Sequence, residues 1–430
     1  MKHRTLDDSL WSHLASDGPK LQQLRGEFHT DVAVVGAGFL GLSIALHLAK
    51  SGVTVALIEA EEPGFGASGR NTGFVAPRIR TQFGFRDVAI RVGNETAERL
   101  VRLVEQSGDT LFNLIHELKI ECAAERSGWL EPAHCDSMIP ILENRAYESA
   151  NRGRPVKLLG LSETKTLVGT DKYRAALFDE SGGQINPLAY ARGLARACLD
   201  NKVLMFARSR VEVLKKIDNN WHAITSTSTI RADQVILATN AMLGPLVPEL
   251  AASFIPVNVF QVATEPLDAI ANSILPKRNP VSDTRRHTFA VRRSPDDRLM
   301  TGGIVLPGPK MSTRASRQFA ARLAAFFPDA APYRIRFVWN GLVAQTSNSL
   351  PQLYTLEPGL NAVIGCNGRG VAITSSLGKA VAQLISGELS SQDFPLPETK
   401  PKPIRGHFFH KLVPSIWLPW VTFRDWIETR

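Results

Sequence analysis

DVAVVGAGFLGLSIALHLAKSGVTVALIE, residues 31–59, is the stretch whose reading decides the fold. Residues 31–35 form a short apolar run, which suits a strand buried on both faces of a parallel sheet. Gly36, Gly38 and Gly41 follow, with Phe39 and Leu40 between them, and residues 42–50 have helical spacing. Residues 53–58 are the next strand, and Glu59 ends it 18 positions after Gly41. This is a βαβ unit of about 30 residues. A lone GxGxxG is weak evidence, but one set between a strand and a helix and followed by that acid is strong. Gly36 allows the tight turn, Gly38 lets backbone approach a pyrophosphate, and Gly41 allows close helix–strand contact, while the helix N-terminus stabilises phosphate charge. Glu59 would accept hydrogen bonds from an adenosine ribose, and its carboxylate disfavours a 2′-phosphate.

The next glycine cluster chooses between nicotinamide and flavin. Residues 64–73 read GFGASGRNTG, with Ser68, Gly69, Arg70 and Asn71 ahead of Gly73. Closely spaced glycines around a serine and an Arg-Asn pair make a nest of backbone N–H groups. A simple dehydrogenase has no need of a second cradle here, whereas a dinucleotide extended across the sheet does, so FAD is expected.

The 430 residues are 44% hydrophobic, and 32 glycines with 26 prolines are ordinary usage, which excludes collagen-like and low-complexity chains. No run of ~18 apolar residues is present, and residues 1–20 lack the apolar core of a secretory signal. Four widely spaced cysteines without a CxxC pair support neither a disulfide framework nor a zinc site, so no metal and a reducing cytoplasm are expected. The net charge of +9 is concentrated: residues 277–322 hold eleven Lys/Arg against Asp283, Asp296 and Asp297. That stretch reads either as a solvated basic face or as a field that draws in anionic groups. It lacks interleaved aromatics, so nucleic acid is not an expected partner.

At this length two packed domains are the default. The pattern predicts an α/β protein: a Rossmann-like FAD-binding domain of the glutathione-reductase type with an inserted mixed-sheet α+β substrate domain. Residues 30–90, 150–245 and 345–395 are assigned to the FAD-binding domain, and 91–149 with 246–344 to the substrate domain. Residues 1–29 read as an N-terminal extension. Residues 396–430 read as a linker and tail, the linker being the Pro/Lys-rich stretch 394–403. Within this frame, helices are expected across 87–118, near 314–327 and over 371–385, with strands at 211–214, 234–239 and 361–365.

The segments 31–60 and 64–77 together resemble the D-amino-acid-oxidase-like family of FAD-dependent oxidoreductases. Ser9-Leu-Trp11, residues 182–187 (GGQINP), 264–267 (TEPL) and 365–371 (GCNGRGV) extend the likeness along almost the whole chain. The resemblance implies that residues 68–71 run along the pyrophosphate. It places the backbone of Val211 at adenine, and Ala60 and Thr239 on the adenosine half. Gly368, Arg369, Gly370 and Val371 would lie at the flavin pyrimidine edge, where the helix beginning there can stabilise negative charge on a reduced ring. Some relatives link flavin covalently through a His or Cys. Those positions fall at Arg70 and near Gly341, so a non-covalent cofactor is expected.

In amino-acid oxidases of this family an Arg after the pattern W-x-G-L holds the substrate α-carboxylate. Here Trp339 is followed by Val343 at that position, which cannot make a bidentate pair with a carboxylate. Residues 346–351 (TSNSLP) look like the γ-glutamylputrescine oxidoreductase branch, which implies oxidation of a small amine. The expected reaction is hydride transfer from the CH–NH carbon to flavin N5, giving an imine that hydrolyses to an aldehyde, with oxygen or a quinone as electron acceptor. Alternatives are a D-amino-acid, glycine or sarcosine oxidase or dehydrogenase, and a flavin-binding scaffold without activity.

No acid or base follows from spacing. His287, Arg292 and Trp339 are the substrate-side candidates, and strand alternation points Arg292 and Arg293 to opposite faces, so at most one meets a pocket. Cys366 reads as a small buried hydrophobe and His47 as a packing residue. The tail's Phe408, Phe409, Trp417, Trp420, Phe423 and Trp426, with Lys411 and Arg424, either pack on their own domain or touch a membrane interface.

Overall fold

A computed structural model of the chain describes residues 8–79, 83–268, 272–407, 409 and 413–429, so Phe408 and Lys411 lie outside the described residues. Residues 31–59 fold as read: the strand Glu27–Val35, the helix Phe39–Lys50 and the strand Val55–Ile58. They sit in a nine-stranded sheet. Its centre is parallel, running Leu360–Ile364, Thr229–Leu237, Glu27–Val35, Val55–Ile58 and Leu204–Phe206. Val32, Ala33, Val34 and all of Val55–Ile58 are buried. The run is continuously apolar because both sheet faces are covered. The helices Phe39–Lys50, Pro187–Asp200 and Gly370–Ser386 cover one face, and the hairpin Val213–Ile217 with Asn220–Ile224 extends the sheet beside Thr229–Leu237.

A second, eight-stranded mixed sheet runs in the order Ile335–Thr346, Phe254–Thr264, Leu299–Gly303, Ala290–Arg293, Val281–Ser282, Trp129–Pro132, Ala176–Asp179, Val156–Leu159. The fold class is therefore the expected one: an α/β dinucleotide-binding unit with an inserted mixed-sheet unit.

Several expected boundaries move. Val156–Leu159 and Ala176–Asp179 pair in the second sheet, although 150–245 was assigned to the first. Conversely, the helices Asn94–Glu105 and Ser107–Glu117 pack Ala97, Leu100 and Leu111 into the cluster of Val34, Ile44 and Leu377, so they join the first unit. An apolar helical stripe shows in sequence, but which face receives it does not. The strand expected to open at Val211 begins at Val213. The supposed linker is structural as well: Phe394 and Leu396 are buried, and Glu398–Thr399 pairs in parallel with Leu353 and Tyr354. The N-terminal segment is docked too, through the fully buried Leu10 and Trp11. Among the described residues no helix is long and apolar enough to cross a membrane.

Candidate active site

Both glycine clusters close on one another. Gly36 has φ +107°, a conformation that disfavours a side chain, and a Cβ on Gly41 would stand 1.9 Å from the Gly36 carbonyl oxygen. Helix Phe39–Lys50 therefore begins against the end of its strand. Its first N–H, on Phe39, donates to Ser68 Oγ at 2.9 Å. Glu59 Oε2 accepts from Ala37 N at 2.7 Å and Oε1 from Glu61 N at 2.9 Å; removal from water raises the pKa of this carboxyl despite those bonds.

The second cluster is not the open nest that its glycines imply. The N–H groups of Gly69, Arg70 and Asn71 donate to carbonyls inside the loop, Gly64 N donates to Ala37 O, and Gly73 N donates to Asn71 Oδ1. The loop is a preformed scaffold that presents Ala67, Ser68, Arg70 and Asn71 to the cavity.

Behind this loop stand two of the expected substrate-side residues. Trp339 Nε1 donates to Arg70 O at 2.9 Å and Trp11 Nε1 to Asn71 O at 2.7 Å, the two rings meeting edge to face at 6.3 Å. Arg292 is fully buried, donates to Thr72 O and Ile185 O at 3.0 and 2.7 Å, and lies over the Trp11 ring. Burial pushes its pKa down to about 9. Neither Arg292 nor Trp339 lines the cavity; both prop the cofactor loop. Arg293 also misses it and pairs with Asp297 at 2.6 Å. Strand alternation allows at most one of the two arginines at a pocket, and neither meets this one, because Val291, Arg292 and Arg293 are all buried.

Most of the basic stretch 277–322 is not a solvated face: only Lys277, Lys310 and Arg317 of its eleven cations are exposed, and Arg285 and Arg286 line the cavity. Arg285 pairs with Asp283, Arg286 with Asp425 and Glu428, and Arg298 with Asp296, while Arg322 donates to the carbonyls of His287 and Thr288.

One cavity of about 830 Å³ extends from residues 38–40 past residues 67–72 to the loop 365–370 and the N-terminus of Gly370–Ser386. Gly38, Phe39, Leu40, Ser68, Arg70, Asn71, Gly368, Arg369, Gly370 and Val371 all line it. Gly36, Gly41, Glu59, Ala60, Gly69, Gly73, Val211 and Thr239 do not. The first four belong to the βαβ turn and its second strand, Gly69 and Gly73 brace the loop, and Val211 is buried in the core on the other sheet face. Thr239 follows the strand Thr229–Leu237 with its Oγ1 buried and unpartnered. Arg70 and Gly341 offer no nucleophile at the family's linkage positions. Cys366 lines the cavity with its thiol pKa raised by burial, so it stays a thiol.

The second sheet supplies the other wall. Ile255, Val257, Val259 and Gln261 point into the cavity from one strand, with Gly341, Val343 and Gln345 from its neighbour. Gln261 Oε1 and His287 Nε2 are buried without a partner. They converge on Gly302 and Gly303, where added Cβ atoms would stand 2.4 Å from Gln261 Oε1 and 2.9 Å from His287 Nε2. Burial, aided by Arg322, lowers the His287 pKa to about 4, so the imidazole is neutral. The tail helix Val413–Glu428 closes the remaining side through Trp417, Trp420 and Val421. Its Asp425 accepts from Arg286 N and His287 N at 3.1 and 3.0 Å. Of the substrate-side candidates only His287 lies at the cavity. Gln261 escaped the sequence reading, although the alternation of residues 255–261 carried the signal.

The cradle fits FAD: a glycine turn at a helix N-terminus, the scaffolded loop 64–73 and a second helix N-terminus at Gly370 bound one continuous cavity. This is the architecture of a dinucleotide-dependent oxidoreductase. A family model described as DAO, FAD dependent oxidoreductase, matches residues 31–384. Over 371 residues the chain is 33% identical to γ-glutamylputrescine oxidoreductase of Escherichia coli, covering 84% of this chain and 85% of that protein. The fold is similar to that of glycine oxidase from Geobacillus kaustophilus (TM-score 0.71, 23% identity, 85% of this chain and 96% of that one). It is similar also to L-proline dehydrogenase from P. horikoshii (TM-score 0.71, 21% identity, 85% and 95%). The chain belongs to the DAO family of FAD-dependent oxidoreductases.

Proposed function

We propose that the protein oxidises the CH–NH bond of a small amine of the γ-glutamylputrescine kind, with non-covalent FAD. The observation that carries this reading is the pair of buried, unpartnered atoms Gln261 Oε1 and His287 Nε2 beside an aliphatic floor where Val343 replaces a carboxylate-binding arginine. With its proton on Nδ1, His287 accepts at Nε2, and Gln261 accepts at Oε1, which suits the N–H groups of an amine. An apolar site favours the neutral amine, the form that can release its electrons. Bound FAD supplies the two-electron acceptor, held by residues 38–40, 68–71 and 368–371. The donor loses a hydride and a proton to give an imine, and water then cleaves the imine to an aldehyde, releasing ammonia from a primary amine or an amine from a secondary one. His287 and Gln261 orient the nitrogen, and the aliphatic wall limits water around the reacting carbon.

Support for an amine donor over an amino acid comes from Val343 and from the likeness to the E. coli enzyme. The test is anaerobic bleaching of the bound flavin by γ-glutamylputrescine, putrescine, glycine, sarcosine and D-alanine, followed by readmission of oxygen or addition of a quinone. Bleaching by amines and not by amino acids is expected. Bleaching by the amino acids alone would return the oxidase alternative, and a flavin that no donor bleaches would leave the inactive scaffold.

A further inference from the structure

We propose that the tail helix and the floor of the second sheet form an apolar subsite for an alkyl or aryl segment of the donor, with Trp417 and Trp420 as its specificity-determining residues. This rests on the amine reading above and adds to it what the remainder of the donor must be.

Three observations converge. The floor is aliphatic by strand register: Ile255, Val257 and Val259 alternate along one strand, and Val343 pairs directly with Val257 across the ladder. All four are only part-buried in the protein alone, so apolar surface faces the cavity. The tail helix turns a 3.6-residue stripe inward: Leu418, Val421 and Asp425 are buried, with Trp417 half-buried beside them. Trp417, Trp420 and Val421 reach the same cavity as the floor. Finally, the polar part of that stripe fixes the helix in place. Asp425 takes the backbone N–H groups of Arg286 and His287, and Glu428 takes the Arg286 guanidinium at 2.6 and 2.9 Å. The anchoring acids lie a turn or two beyond Val421, so the docked helix presents aromatic and aliphatic surface, not charge, to the chamber. A ligand held by its nitrogen at Gln261 and His287 and covering that surface needs an apolar segment. Each methylene removed from water contributes about 0.8 kcal/mol, roughly a fourfold gain in affinity.

The experiment uses the FAD-loaded protein and the n-alkylamines from propyl to hexyl. Dissociation constants are read from perturbation of the flavin absorbance, and bleaching rates are read without air. For the wild type, affinity should rise about fourfold per added methylene. Trp417→Ala and Trp420→Ala should each flatten that slope. Phe423→Ala, on the outer helix face where Phe423 is 57% exposed, should keep it. Trp420 is itself 55% exposed, so its replacement does not endanger folding and decides the matter alone if the Trp417 variant is unstable. A wild-type series without chain-length dependence, or a wild-type slope retained in Trp420→Ala, overturns the subsite. If the amines bind with the expected slope but none bleaches the flavin, the proposed reaction falls and the subsite stands.

Discussion

His287→Gln should make the protein more resistant to acid while weakening its handling of donor. The neutral imidazole is enforced by burial and by Arg322, with Asp425 and Asp283 opposing, and its pKa falls from 6.5 to about 4. Unfolded, the imidazole titrates at its ordinary value, so between pH 6.5 and 4 the unfolded chain binds the extra proton. Stability is then fully present above pH 6.5 and is lost as pH falls toward 4. The gap of two and a half units is worth roughly 3 kcal/mol in full, and about 2.5 kcal/mol has been lost by pH 4.5. Glutamine does not titrate, so the variant lacks this loss. The assay is urea unfolding of the FAD-loaded wild type and variant from pH 8 to 4.5. Groups such as His134 and Glu428 titrate in both proteins and largely cancel in the difference. The variant should gain on the wild type by about 2.5 kcal/mol across that range. Parallel stability curves would refute the buried neutral imidazole and, with it, the acceptor assigned to the donor nitrogen.

Arg292→Met keeps the length but deprives Thr72 O and Ile185 O of their donor, each buried carbonyl costing about 1–3 kcal/mol. FAD titration by fluorescence quenching should show at least about tenfold weaker binding, with the donor KM almost unchanged; a KM effect alone would restore Arg292 to the substrate. Val343→Arg puts a cation on the floor, and bleaching by glycine or sarcosine should appear while alkylamine bleaching declines, as read in the anaerobic panel. Acid precipitation of the purified protein should leave the yellow chromophore in the supernatant, since Arg70 and Gly341 cannot bond to it; flavin in the pellet would contradict a non-covalent cofactor.

The βαβ cradle was legible because its requirements are local: three glycines, a strand on each side and an acid at the end of the second. The same holds for the helix at 371–385, which the structure extends to Gly370–Ser386. What local pattern could not carry is partner choice. Arg292 stands on a strand buried on both faces and Trp339 on one whose flanking residues are half-buried, so alternation alone does not say what either side chain meets. The residue beneath each, Trp11 in both cases, comes from over 280 positions earlier in the chain. Arg278 and Arg286 read as surface charge because the acids Glu125, Asp425 and Glu428 that pair with them are remote in sequence. Residues 394–399 read as a linker from their prolines, but prolines tolerate an edge strand, and Phe394 and Leu396 supply the burial.

The two anchoring ends of the cofactor site are held in register by a single helix crossing. Phe39–Lys50 begins at the glycine turn of residues 36–38 and Gly370–Ser386 at the loop 365–370, and both N-termini face the cavity. The helices meet where Ser43 Oγ donates to Ser375 O at 3.0 Å, with Tyr190 bonded to Ser375 Oγ at 2.8 Å. A Cβ on Gly378 would lie 2.5 Å from Ser43 Cβ, so the two backbones approach more closely there than any side chain would allow. Separation of the two positive helix ends is therefore set by packing several residues away from either one. That division of labour explains why the residues that shape the site most, Gly378, Trp11 and Arg292 among them, never touch the cavity, and why the few that do, Gln261 and His287, keep a polar atom free.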